Sequence, residues 1–134
     1  MMAIHMDSKN WLTLAALLLA LAVIAGAFGA HGLRGRLDEY SMDIYEKAVL
    51  YQLVHAFGML IVASLGLMKI FSSEQIQPVA ALFGLGIVFF SGSLYALALT
   101  GIRMLGAITP IGGVCFIAAW GLLAWRSWRL PPGL

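Results

Sequence analysis

The polar residues that could bind a ligand lie inside stretches of the sequence that are otherwise apolar. Tyr51, Gln52 and His55 occur together in one stretch, and their helical spacing places all three side chains on one side of a helix. Ser91 and Tyr95 lie four residues apart in another stretch, so they share a face. Groups of this kind could form a polar pocket that binds a small ligand or passes protons, with histidine as the group that exchanges a proton.

Four stretches of the chain contain no charged residue at all. They run from Asn10 to Leu33, from Ala48 to Met68, from Gln75 to Ile102 and from Met104 to Trp125. Each is about as long as the ~20 residues that a helix needs to cross a bilayer, and a membrane barrel uses strands of about half this length. Because every backbone amide and carbonyl in the hydrocarbon needs an internal partner, runs this long must be helices.

The short polar segments between these stretches predict helices that cross the membrane in alternating directions. We therefore expect an all-α integral membrane bundle of four transmembrane helices with up-down-up-down topology. Residues 1–134 form a single domain in this prediction. The predicted spans are approximately 11–33, 48–68, 77–99 and 105–126.

The composition supports a membrane protein and argues against nucleic-acid binding. Hydrophobic residues make up 62% of the chain and charged residues 10%, whereas about 25% of an ordinary soluble domain is charged. The net charge of +2 comes without a basic run or an aromatic RNA-binding motif. We therefore expect membrane lipids as partners, with the positive charge serving topology and anionic headgroups.

The longest polar segment, Arg34 to Lys47, predicts a short amphipathic helix between the first and second spans. Leu37, Tyr40 and Ile44 recur at intervals of three to four residues. Two placements are open for this segment: it lies on the membrane surface, or it extends the second helix.

When the helices are threaded in alternating directions, the polar residues gather at the membrane face opposite the termini. The candidate ligand-binding residues are His31, Tyr51, Gln52, His55, Ser91, Tyr95, Arg103 and Thr109. We expect His55 near the base of the pocket and Arg103 at its mouth, since ionisable groups at membrane depth face the bundle interior or a cavity. The alternative is a hydrogen-bond network that fixes helix register, with about 0.6 kcal/mol for each bond. Ser93 is expected instead to bond to a backbone carbonyl.

Catalysis, metal binding and redox chemistry find little support in the sequence. No Asp or Glu lies in a predicted span and no nucleophile motif is present, so we predict that the protein is not an enzyme. His31 and His55 lie on different helices without Cys, His or carboxylate partners at ligand spacing, and His5 lies in the N-terminal tail. We therefore predict no metal and no cofactor, and we expect Cys115 to be a buried small residue.

Small residues recur along the first and fourth helices at spacings that permit close approach. They are Ala22, Gly26 and Ala30 in the first helix and Gly113 and Gly121 in the fourth. Such residues let helices pack in lipid, either within one chain or between copies in a homo-oligomer. The fourth helix also has two possible starts: a Thr109 N-cap followed by Pro110, or an earlier start near Arg103 with a kink.

Several motifs resemble those of the YgdD/YwdK-like family of small bacterial inner-membrane proteins. The motifs are Gly26–Leu33, Tyr51–Ala56, Ser91–Gly101 and Ile108–Gly113. The resemblance implies four spans in the bacterial inner membrane and a domain of unknown function, without an activity, a substrate or catalytic residues. His31, Gln52, His55, Ser91, Tyr95 and Thr109 fall within these motifs.

We therefore predict a multi-pass inner-membrane protein that is an accessory or structural subunit of a larger membrane complex, or a self-associating bundle. The alternative is a protein that handles a small solute, a lipid or protons in the polar pocket around His55. Lys and Arg divide four against four between the two membrane faces, which leaves the orientation open on charge alone. The aromatic and basic run from Trp125 to Arg129 favours cytoplasmic termini.

Overall fold

The computed structural model describes residues 6–133, and within them every regular element is helical. Four helical spans are long and apolar enough to cross a membrane: Ser8–Leu33, Glu39–Leu67, Ser73–Thr100 and Arg103–Trp128. The prediction of an all-α membrane bundle with four helices is therefore confirmed. His5 lies outside the described residues.

Two of the spans contain a wider π-helical turn. The first span consists of α1 (Ser8–Phe28) and a π turn at Gly29–Leu33, and the second span is the single helix α2 (Glu39–Leu67). The third span combines α3 (Ser73–Gly86), a π turn at Ile87–Gly92 and α4 (Ser93–Thr100). The fourth span begins as a 3₁₀ helix at Arg103–Ala107 and continues as α5 (Thr109–Trp128).

The second and third spans form the centre of the bundle, and the other two flank them. The first span packs mainly on α2, and α5 packs mainly on the third span. The best-buried large side chains, Met59, Val62, Ile76, Val79 and Phe83, come from α2 and α3. The outer spans therefore contact their neighbours on one side and leave their other side to the lipid.

The segment that precedes the second predicted span extends α2 rather than lying apart from it. Asp38 caps this helix, because its carboxylate accepts a hydrogen bond of 2.7 Å from the Ser41 amide. Asp43 and Lys47 form an exposed ion pair of 2.6 Å one turn apart. Of the two placements that the sequence allowed, the structure has the helix extension.

The connection between the second and third spans is a tight turn that ends in a capping box. Lys69 adopts a left-handed conformation with φ of 59°. The Ser72 hydroxyl accepts from the Gln75 amide at 3.3 Å, and the Gln75 side chain accepts from the Ser72 amide at 2.9 Å. These bonds satisfy backbone donors that the start of α3 would otherwise leave unpaired.

The fourth span has the earlier of its two predicted starts, because the 3₁₀ helix begins at Arg103. The residue before α5 is Ile108, which has a helical conformation and gives no side-chain cap. Of the two starts that the sequence left open, the Thr109 N-cap is not the one found, and the Thr109 hydroxyl lies 2.7 Å from the Ser93 hydroxyl. Pro110 occupies the first turn of α5, where its missing amide proton is not needed.

The fourth span comes close to the backbone of the third at Gly112. A Cβ atom on Gly112 would overlap the backbone nitrogen of Phe90, which lies in the π turn. Only a residue without a side chain therefore permits this approach.

Candidate functional site

The eight candidate residues do not converge on one pocket. They divide into a hydrogen-bonded cluster, an aromatic stack, a hydroxyl pair with a nearby buried serine, and two exposed side chains. Within the described residues, no group of three or more His, Cys, Asp or Glu side chains could hold a metal ion.

Gln52 and Tyr95 form the centre of the hydrogen-bonded cluster. The Tyr95 hydroxyl donates to Gln52 Oε1 at 2.8 Å, and Gln52 Nε2 donates to the Leu18 carbonyl at 2.9 Å. Gln52 is buried, so neither water nor lipid could replace these two partners. Its amide oxygen and amide nitrogen are both hydrogen-bonded within the protein. These two bonds connect the first, second and third spans.

Tyr45 belongs to the same cluster, although the sequence analysis did not select it. Its hydroxyl donates to the Ala25 carbonyl at 2.7 Å, and its ring packs edge to face against Tyr95 with centroids 5.2 Å apart. Tyr45 lies seven residues before Gln52, which is two helical turns along the same face. That spacing is the signal by which the sequence could have identified it.

His55 lies in an aromatic stack between the second and fourth spans. Its Nδ1 is 2.7 Å from the Tyr51 carbonyl, and its ring lies on Phe116 with centroids 3.4 Å apart and planes 7° apart. Tyr51 stacks in turn on Phe90, with centroids 4.2 Å apart. The imidazole is also near the Trp120 ring, with centroids 6.2 Å apart. His55 is 6% exposed, so aromatic rings rather than water surround it.

Ser93 and Thr109 pair between the third and fourth spans. The Ser93 hydroxyl donates to the Phe90 carbonyl at 3.0 Å, as predicted for a backbone bond. Because that bond uses the Ser93 proton, the Thr109 hydroxyl is the donor in their 2.7 Å contact. Ser91 lies nearby but separately: it is fully buried, and within the described residues its hydroxyl has no hydrogen-bond partner.

His31 and Arg103 are exposed at the end of the bundle opposite the termini. His31 lies on the π turn of the first span, and Arg103 begins the 3₁₀ helix of the fourth. Neither side chain makes a hydrogen bond or ion pair with any other residue that the structure describes. Arg103 therefore lies at the correct end but does not close a pocket above His55.

A hydrogen bond between Trp11 and Gln77 lies at the end of the bundle near the termini, and the sequence did not predict it. The Trp11 indole donates to Gln77 Oε1 at 2.9 Å and so connects the first and third spans. Trp11 is buried, and a buried indole N–H requires a hydrogen-bond partner, which Gln77 provides. Cys115, predicted to be buried, is half-buried in α5.

Apolar grooves lie on the outer surface of the bundle. One groove of about 320 Å³ is lined by Leu50, Tyr51, Val54 and His55. A second, of about 420 Å³, follows along α2 and is lined by residues of three spans. They are Leu19, Leu53, Val54, Phe57, Gly58, Ile61 and Trp120. Of the candidate residues, only Tyr51 and His55 line either of these two grooves.

A further groove of about 200 Å³ lies between α1 and α2 near the end opposite the termini. Gly26, Gly29, Tyr45 and Glu46 are among the residues that line it. The only carboxylate in its lining is that of Glu46, which is exposed. This groove therefore does not assemble the paired acids or the acid and base that hydrolytic chemistry needs.

Comparisons with known proteins agree with the fold and leave the chemistry open. The profile of a family described as "Protein of unknown function (DUF423)" matches residues 25–113. A UPF0382 membrane protein of Staphylococcus haemolyticus is 50% identical over 115 residues, which cover 86% of this chain and 92% of the relative. The UPF0382 membrane protein YwdK of Bacillus subtilis is 44% identical over 112 residues, which cover 84% of this chain and 90% of the relative.

A relative from Staphylococcus saprophyticus, also a UPF0382 membrane protein, is 46% identical over 122 residues, 91% of this chain and 99% of that protein. No solved structure matches the chain significantly. The resemblance to the YwdK-like family is thus confirmed by a profile over most of the chain and by relatives of nearly equal length. The protein belongs to the DUF423 family, and it is similar to UPF0382 membrane proteins over nearly their whole length.

Proposed function

We propose that this protein is a non-enzymatic accessory or structural bundle of the bacterial inner membrane, which acts by packing against another membrane protein or a second copy of itself. The observation that carries the proposal is the pairing of its internal polar groups. Hydrogen bonds from Tyr45, Gln52 and Tyr95 connect the first three spans. The hydroxyl pair of Ser93 and Thr109 connects the third span to the fourth. Polar residues used in this way fix the register of helices in lipid.

The outer face of the fourth span offers a surface for such packing. Val114, Ile117, Gly121 and Trp128 recur along one side of α5 and are exposed. A Cβ on Gly121 would meet no atom of the described residues within 4 Å, so packing among these residues does not require a glycine here. A glycine on an exposed helical face lets a neighbouring helix approach closely in lipid.

Purification in mild detergent followed by mass spectrometry tests the proposal. We expect a stoichiometric partner protein or a defined oligomer to be recovered with the wild-type chain. Gly121→Leu should reduce that recovery, because the added side chain points into the space where the neighbour would pack. It should leave the thermal stability of the bundle unchanged, since no described residue lies within 4 Å of the added Cβ.

Ala20→Leu is the matched control, because it adds bulk to an exposed position on the outer face of α1. If Gly121→Leu does not affect association, the outer face of α5 is not the surface that binds the partner. A clean monomer under all mild conditions would contradict the whole proposal.

We further propose that both termini lie in the cytoplasm. Trp125, Arg126, Trp128 and Arg129 cluster at the end of α5, and Arg129 lies over the Trp125 ring at 5.0 Å. Aromatic and basic residues anchor helices at the membrane interface, and basic residues favour the cytoplasmic side. A reporter that is active only in the periplasm should be inactive when fused to the C-terminus, and its activity there would reverse the orientation.

A second candidate function is the binding of a lipid-like ligand beside His55. One observation favours it: the hydrogen bond of His55 stays within α2, and its other ring nitrogen has no partner among the described residues at the edge of a groove.

A further inference from the structure

The position of His55 puts its side chain deep in the hydrocarbon. It lies eight residues beyond Lys47 on the same helix, which corresponds to about 12 Å along the axis. The hydrocarbon core is about 30 Å thick, so this residue lies close to its middle. No acidic residue occurs in α2 after Glu46, and a charged imidazole would therefore have no counter-ion at this depth.

The hydrogen bond to Tyr51 determines which nitrogen of His55 carries the proton. A backbone carbonyl can only accept, so the Nδ1 that lies 2.7 Å from the Tyr51 oxygen must be the donor. Nε2 of the neutral ring is then an acceptor. Within the described residues it has no hydrogen-bond partner, and it is not among the fully buried unpaired atoms. The structure thus offers an unpaired acceptor at the protein surface, inside the membrane.

The groove beside this acceptor continues along α2. The groove of about 320 Å³ at His55 and the groove of about 420 Å³ at Trp120 share Val54 in their walls. Between Leu50 and Ile61 they follow the helix for about 16 Å. Their combined volume is typical of a small-molecule binding site, and a helix about 10–12 Å wide would not fit into them.

We infer that this groove binds a lipid-soluble ring that carries a hydroxyl group and an apolar tail, of the chemical class of isoprenoid quinols. The ring hydroxyl donates to His55 Nε2, the ring lies between the aromatic side chains of Tyr51 and Trp120, and the tail follows α2 toward Ile61. Glycerophospholipids keep their hydrogen-bond donors at the interface, about 12 Å away from this acceptor. A donor at the depth of His55 must therefore belong to a molecule that dissolves in the hydrocarbon.

The inference goes beyond the proposed structural role, because it assigns a ligand to His55 Nε2, a polar atom that helix packing does not use and that, unlike the fully buried Ser91 hydroxyl, borders a groove. It concerns binding only. The apolar lining would accept the tail, and the single acceptor would select for a hydroxyl over an ether or a ketone.

The test uses three forms of one probe with the whole protein in lipid nanodiscs. They are a decyl-substituted quinol, its oxidised quinone and its dimethyl ether, and empty nanodiscs give the partition background. We expect saturable 1:1 binding of the quinol, and binding of the quinone and ether that is about fivefold weaker, since neither can donate to Nε2.

Two variants make the test specific to the groove. His55→Phe keeps a ring on Phe116 but removes the acceptor, so it should abolish the preference for quinol over ether. Val54→Trp fills the shared wall and should abolish saturable binding, whereas Val88→Trp adds the same bulk at an exposed position of the third span and should not. Equal affinity for quinol and ether in the wild type, or no saturable binding, would overturn the inference. Association through α5 does not depend on either result.

Discussion

The imidazole of His55 lies flat on the ring of Phe116, with centroids 3.4 Å apart and planes 7° apart. Phe116 lies in turn directly over Gly86, where a Cβ atom would overlap the phenyl ring. The missing side chain in the third span therefore sets the position of an aromatic ring in the fourth, and that ring supports a histidine in the second.

Gly86→Ala should destabilise the bundle by about 1 to 3 kcal/mol, because the added methyl group forces Phe116 out of its place. Combining it with Phe116→Leu should cost less than the sum of the two single changes, since the smaller side chain leaves room for the methyl group. The free energy of unfolding in detergent titrations measures both. Gly84→Ala is the control, because its Cβ would meet only the end of the Met59 side chain, at 3.3 Å. Equal losses at positions 84 and 86 would contradict this account.

Gly112→Ala should be far more harmful than Gly113→Ala, although the two glycines are neighbours. A Cβ on Gly112 would overlap the Phe90 backbone, whereas one on Gly113 would lie 3.8 Å from the Phe90 ring in ordinary contact. Backbone cannot move aside as the end of a side chain can, so α5 must shift away from the π turn. Thermal stability in detergent and the retention volume of the folded monomer report the shift. Similar melting temperatures for the two variants would show that the close approach is not required.

The bond between Tyr95 and Gln52 should contribute about 0.6 kcal/mol, and at most about 1.7, to the stability of the bundle in lipid. Tyr95→Phe and Gln52→Leu, alone and together, form a double-mutant cycle that isolates this term. Gln52→Leu should cost more than Tyr95→Phe, because the glutamine also donates to the Leu18 carbonyl. A coupling energy near zero would mean that the two side chains do not meet in the membrane.

The carboxyl group of Asp38 should titrate below its ordinary value. Its hydrogen bond from the Ser41 amide lowers the pKa of Asp38 from 3.8, because the bond favours the ionised form. A group whose pKa is lower in the folded state stabilises that state at pH values above its pKa in the unfolded state. This contribution is lost as the pH falls through the folded value.

The start of α2 should therefore loosen only below about pH 3.8, where the cap becomes protonated. The amide chemical shift of Ser41, followed by NMR during an acid titration, reports this event. Asp38→Asn keeps an acceptor at the cap without a titrating group, and it should abolish the shift. A midpoint at or above 3.8 in the wild type would contradict the capping geometry.

The sequence predicted the number and type of helices well, because charge-free runs of this length have few alternatives in a bilayer. It also predicted that Gln52 and Tyr95 lie toward the same membrane face, opposite the termini. Threading gives the height of a residue along a helix but not the direction in which it points. This is why Tyr45 was missed and why His31 and Arg103 were expected beside residues that they do not reach.

Local patterns failed where a tertiary contact competed with them. Thr109 followed by Pro110 matches a helix cap, yet the Thr109 hydroxyl pairs with Ser93 across the bundle. The aromatic neighbours of His55 on other helices are Phe83 of α3 and Phe116 and Trp120 of α5, and no spacing within α2 could have identified these three.

The π turn at Ile87–Gly92 divides the third span into two helices that differ in phase. α3 presents Gly86 to Phe116 of the fourth span, while α4 presents Tyr95 to Gln52 of the second. Each residue of an α-helix turns the chain by about 100°, so losing one residue from this turn would rotate α4 away from its partner. The third span thus contacts different neighbours before and after the π turn. An insertion or deletion within the turn should disturb these contacts more than one at either end of the span.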